Sequence, residues 1–214
     1  RGRVRDCGDG GSARVRGYGD EEFEAAELPH ITIRAPRTLR IYRGGAGTTE
    51  IGASEALNLD VRGCSTTNVG DVAGLLAVDV SGSGDINAGA AQTLNADVRG
   101  SADVVTGAVA NGASLDLSGS GSVTIAALTG DLTSDERGSG SVAVQGGAIT
   151  TANVDLSGSG DVTIGATVQD LEVSIRGSGG VTVTAAVGNI DADIAGSGSV
   201  SAASATGSIH QEVR

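Results

Sequence analysis

Lysine, methionine and tryptophan are missing from this 214-residue chain, which holds one phenylalanine, two tyrosines, two prolines, two cysteines and two histidines. Without lysine there is no Gly-Lys pair, so a phosphate-cradling loop is excluded. Without rings in its regular part, the chain offers no stacking surface of the kind sugar grooves use, and its core must be aliphatic. Positive charge is scarce as well. Fourteen basic residues, all arginine, face 26 acidic ones, for a net charge of −12. Such a surface repels nucleic-acid phosphates. No apolar run approaches the roughly 18–20 residues that cross a bilayer, so no transmembrane segment is expected.

What the chain has in abundance is glycine, 36 residues of it, and the glycines keep time. A Gly-Ser-Gly-like tripeptide begins at Gly63, Gly82, Gly100, Gly119, Gly138, Gly158, Gly177 and Gly196, in steps of 19, 18, 19, 19, 20, 19 and 19 residues. A fixed period of this size marks a solenoid, in which each repeat buries its apolar side only against the next. Two residues before each corner stand Val61, Val80, Val98, Leu117, Glu136, Leu156, Ile175 and Ile194; six before it, Leu57, Leu76, Leu94, Ala113, Leu132, Ala152, Leu171 and Ile190. Four residues after it stand Thr67, Ile86, Val104, Val123, Val142, Val162, Val181 and Val200. The alternation has period two, which is strand patterning. The expected fold is all-β: a single-stranded, right-handed parallel β-helix with coils of about 19 residues. Glu136 occupies an inward position, so a bulge or outward turn is expected there, since a lone buried carboxylate is costly.

Residues 1–30 keep no such register and read as an N-terminal cap or leader; residues 31–214 read as the β-helix domain. "RVRD" and "ARVRG" predict edge strands, "DEEFEAAEL" a short helix, and "ITIRAPRTLRIYRGGAGTTEIG" irregular opening coils with Gly44 or Gly45 near a corner and Pro36 at a strand edge. The start at Arg1 suggests a removed leader. The next corner would fall at position 215, so the last coil reads as unfinished. The natural chain then continues, or another molecule completes the edge; head-to-tail addition of identical subunits would give a filament.

Two outward ladders follow from the same register. Three residues before the corners stand Asp60, Asp79, Asp97, Asp116, Asp135, Asp155 and Asp193, interrupted by Ser174. One residue before the corners, Arg62, Arg99, Arg137, Arg176 and Arg214 alternate with Ser81, Ser118, Ser157 and Ala195. Carboxylates about 4.8 Å apart repel one another, and an arginine on every second coil can neutralise them. This face reads as a self-neutralising ladder or as a linear site for cations or a charged glycan. Calcium is the one cofactor such a row could hold, and a calcium-dependent polysaccharide lyase is the enzymatic alternative. Against catalysis, the aspartates are spread evenly rather than clustered. The serines are corner residues, and His30 and His210 lie at opposite ends of the rod, so a Ser-His-Asp triad has no support. Cys64 replaces the corner serine of the other repeats. It is either a thiol in a small-residue slot or one half of a disulfide with Cys7.

The repeated "LDLSGSGSVTI", "VDLSGSGDVTIG", "VSIRGSGGVTV" and "VDVSGSGDINAG" resemble the head GIN domain family of auto-transporter adhesins across roughly residues 31–214. The resemblance implies a right-handed β-helix exported in bacteria, with no established enzymatic role and no defined site residues. The expectation is a non-catalytic, extracytoplasmic protein (periplasmic, on the outer-membrane surface or secreted), adhesin-like or scaffolding. Its partners would be a glycan, a cell-surface ligand or further copies of itself.

Overall fold

The structure, a computed structural model, describes the backbone of residues 3–7, 13–17, 19–23, 30–33 and 38–214, and side chains from Thr38 onward. Every described element is a strand. From His30–Ile33 to Ile209–Val213 the strands join one 16-stranded parallel sheet that winds as about nine turns of some 19 residues. The chain is a β-solenoid.

The corner glycines set the winding. Gly45, Gly63, Gly82, Gly100, Gly119, Gly138, Gly158, Gly177 and Gly196 are consecutive register partners, one per coil. All have φ between 92° and 141°, which L side chains rarely adopt. They also stack too closely for a side chain: a Cβ on Gly138 would lie 2.3 Å from the carbonyl oxygen of Gly119. From Gly82 on, the serine after each corner donates its N–H to the carbonyl of the corner glycine one coil below, as in Ser120 to Gly100 and Ser139 to Gly119, both 2.8 Å.

The three inward ladders stack in register and are buried, apart from half-buried Val200 at the far end. Two more rows face the same interior. One runs through Leu59, Val78, Leu115, Val154 and Val173, the other through Ile125, Val144, Ile164 and Val183. Each buried branched side chain contributes roughly 1.5–3 kcal/mol, so stability comes from repetition. The two irregular steps are absorbed away from the corners. The 18-residue step shifts register between Val72 and Leu75, and the 20-residue step between Gly130 and Leu132.

Three expectations need correction. The opening coil is regular: Thr38–Ile51 pairs without a break with Ala56–Val69, and Gly45 is its corner. The helix expected in "DEEFEAAEL" is a strand over Gly19–Phe23, the third of a small antiparallel sheet with Arg3–Cys7 and Ala13–Gly17. The rest of that segment, and Pro36, lie outside the described residues. Glu136 neither bulges nor turns out; it stays in register between Leu117 and Leu156 and is 2% exposed.

The two ends of the solenoid differ. At the first full coil Arg43 takes an inward position, paired in register with Val61. It donates to the carbonyls of Gly44 and Ala46 and to Thr49 Oγ1. An inward-pointing charge is one of the devices that blunt an open β edge. At the other end Ile209 and Val213, in the last strand, are about two-thirds exposed at 64% and 63%.

Candidate functional site

The outward rows before the corners form one face. Because strand side chains alternate, residues five, three and one before each corner all project from it. Asp60, Asp79, Asp97, Asp116, Asp135, Asp155, Ser174, Asp193 and Glu212 are consecutive register partners. The carboxylate row therefore exists as a stacked ladder. In the first half every aspartate is ion-paired. Arg62 pairs with Asp60 at 3.1 Å. Arg99 bridges Asp79, at 3.3 Å, and Asp97. Arg137 bridges Asp116 at 3.2 Å and Asp135 at 3.5 Å. Each of the last two arginines thus spans its own coil and the one before. Asp97 is partly buried between its neighbours. Burial pushes its carboxyl up, Arg99 pulls it down, and Asp79 and Asp116 add to the rise.

The second half is different because the aspartate row is interrupted once. Ser174 takes the aspartate's place beside Arg176, while Ala195, beside Asp193, stands where the alternation has a serine. Among the described residues, Arg176, Asp155 and Asp193 make no ion pair. The row five residues before the corner turns acidic at the same point. Earlier it runs Asn58, Ala77, Asn95, Ser114, Thr133 and Asn153; then come Glu172, Asp191 and His210. The result is an open groove of about 670 Å³, whose walls include Asp155, Glu172, Asp191, Asp193, His210 and Glu212. Of these carboxylates, only Glu212 is ion-paired among the described residues, with Arg214 at 2.8 Å. A shallower groove of about 250 Å³ runs along the ion-paired half, between Asn58, Asn95 and the aspartates.

The sequence pattern located the aspartate and arginine rows but missed Glu172 and Asp191. Their signal was legible as an acidic replacement at one coil position in consecutive repeats. Arg62, Arg99, Arg137 and Arg214 are tied to carboxylates, which leaves Arg176 as the unpaired cation of the predicted face among the described residues. No group of three or more His, Cys, Asp and Glu among the described residues is placed to hold a metal ion. No helix among them is long and apolar enough to cross a membrane. Cys64 is disulfide-bonded; the other half of the expected link, the Cys7 side chain, lies outside the described residues. The strand Arg3–Cys7 lies alongside Thr38–Ile51 and Ala56–Val69.

No curated protein and no solved structure matches the chain. A family model does, over residues 106–205, a stretch that carries the corners from Gly119 to Gly196 and most of the acidic groove. That family is described as "Putative auto-transporter adhesin, head GIN domain".

Proposed function

We propose that this chain is an exported, non-catalytic surface solenoid of adhesin type, and that it engages its ligand through the acidic groove near the last coils. The ligand is cationic: a lysine- or arginine-rich segment of another surface molecule. The observation that carries this reading is the break in ion pairing along one continuous face. Where Arg99 and Arg137 clamp pairs of aspartates, every carboxylate of the ladder has an ion-pair partner. From Asp155 onward four carboxylates line a concavity without an ion pair among the described residues. Rigid coils hold these charges at fixed spacing, so little ordering cost falls on binding. The family's description supports the adhesin class, and the disulfide at Cys64 suits an oxidising, extracytoplasmic compartment.

Binding of a lysine-rich peptide to the immobilised chain tests the proposal across a salt series. The expected result is an affinity that falls as salt rises. It should drop at least tenfold in a Glu172→Gln, Asp191→Asn, Asp193→Asn variant. Asp79→Asn with Asp116→Asn, in the ion-paired half, should change it little. Equal loss in both variants, or no binding at low salt, overturns the groove as the site. The polysaccharide-lyase alternative is addressed in parallel by incubating acidic glycans with the protein and calcium. Release of unsaturated sugar, abolished by Arg99→Ala or Arg137→Ala, would replace the adhesin reading with an enzymatic one.

A further inference from the structure

Among the described residues Glu136 is the one buried carboxyl group, and it has no hydrogen-bond partner. It is 2% exposed, and neither Oε1 nor Oε2 meets a donor. Leu117 and Leu156 stack on it from the coils on either side. Ser134, two residues earlier on the same inward side of the strand, is 1% exposed, and its Oγ is also unpartnered. The carboxyl group reaches the second glycine of the next corner. A Cβ on Gly160 would lie 2.4 Å from Glu136 Oε2, so that glycine makes room for it.

The charged groups around this side chain sit on two sides. Asp161, at the start of the strand Asp161–Ile164, acts on it electrostatically. Asp135 and Arg137, its chain neighbours, project to the outer face with Asp116 and Asp155 of the adjoining coils. Among the described residues no cation pairs with the carboxyl group. Burial first, and the Asp161 carboxylate second, push Glu136 up to about 7. An ionised carboxylate cannot stay in this aliphatic interior without a partner.

We propose that Glu136 is a proton-operated latch in the middle of the solenoid. Protonated, it stays inside and the strand Ser122–Gly138 keeps its register. Ionised, it turns outward. Strand alternation allows that only through a bulge between Asp135 and Arg137, because a plain slip would drive one of these neighbours inward. The bulge releases Arg137 from Asp116 and Asp135. The exposed ladder is thereby unpaired at the point where its ion-paired half meets its unpaired half. Loss of one proton inside is converted into a change of charge pattern outside.

The test is a carbon-13 NMR titration of the Glu136 carboxyl group in the whole chain, assigned through the backbone. Thermal midpoints of the wild type and Glu136→Gln are measured alongside between pH 5 and pH 8. Glutamine keeps the shape and cannot ionise. The Glu136 carboxyl should titrate near pH 7, and the amide signals of Asp116, Asp135 and Arg137 should move with the same midpoint. The wild-type melting temperature should fall on the order of 5–10 °C further than that of Glu136→Gln over this range. A carboxyl titrating in the ordinary glutamate range overturns the latch. So do outer-face amides indifferent to the titration, or equal pH slopes in the two proteins. If Glu136→Gln does not fold, the wild-type titration decides alone.

Discussion

Replacing Gly138 by alanine isolates the feature that winds this chain. Gly138 has φ +137°, and an added Cβ would stand 2.3 Å from the carbonyl oxygen of Gly119 and 3.1 Å from that residue's N and C atoms. A carbon meets an oxygen comfortably at about 3.3 Å, so the two backbones must separate by roughly 1 Å. They cannot do so freely. Gly119 would itself come 2.2 Å from the Gly100 oxygen if it carried a Cβ, and the row continues at similar spacing along the rod. The oxygen in question already accepts the N–H of Ser139 at 2.8 Å. Backbone strain of this kind costs about 1–3 kcal/mol, and loss of the hydrogen bond about 1 kcal/mol more. Gly138→Ala should therefore destabilise the protein by about 2–4 kcal/mol, seen as a lower urea midpoint. Gly44→Ala is the control. Nothing lies within 4 Å of its Cβ position, and its φ is outside the left-handed range, so a change within about 0.5 kcal/mol is expected. If Gly138→Ala unfolds at the same urea concentration as the wild type, the close corner stack is not what fixes the coil.

Leu115→Ala removes a fully buried side chain from an inward row and should cost about 2–5 kcal/mol in a thermal or urea melt. The pH dependence of stability has a definite sign. The folded-state pKa of Glu136 is raised from 4.5 to about 7, so stability falls as pH climbs through this interval and levels off above it. The loss is about 3 kcal/mol at roughly 1.36 kcal/mol per pKa unit; melts that are flat from about pH 4.5 to 7.5 after subtraction of the Glu136→Gln curve would contradict it. Alkylation of the mature protein without reductant should label neither cysteine. Two alkylated thiols in material from its native compartment would show that the Cys7–Cys64 link is absent.

The architecture was legible because it is written many times over. One corner glycine proves little, but nine in register, each at positive φ, cannot arise from a globular sheet. The inward rows were legible for the same reason, since Val123, Val142 and Val162 repeat one environment and stack on one another. Exceptions were harder to read. At Glu136 the cost of an unpaired carboxylate argued for an outward turn, yet the side chain is buried. A proton and the vacant side of Gly160 accommodate it, and neither is visible in a strand pattern. Arg43 was hidden because its inward position depends on Gly45 being a true corner, which only the unbroken pairing with Ala56–Val69 establishes. The groove was half legible. Its aspartates belong to a row present in nearly every coil, whereas Glu172 and Asp191 are acidic replacements in a row that is uncharged from Asn58 to Asn153.

In a solenoid each coil touches only its neighbours, so a substitution that would wreck a globular core is confined to a coil or two. That locality lets this chain carry departures that serve no packing purpose. The inward carboxyl of Glu136, the inward charge of Arg43 and the unpaired carboxylates from Asp155 to Asp193 each depart from the repeat where they stand. The regular coils between them supply the stability that tolerates them. Positions where a nineteen-residue pattern fails are therefore where function is to be sought. The latch and the groove provide the sharpest check on this view, because Asp155 lies one coil from Glu136 and Glu172 two. Neutralising Glu136 as glutamine should leave peptide binding unchanged near pH 5, where the wild-type carboxyl is protonated, and make it differ from wild type only above about pH 7. A Glu136→Gln protein that binds differently at both pH values would tie the two sites through packing rather than through the proton.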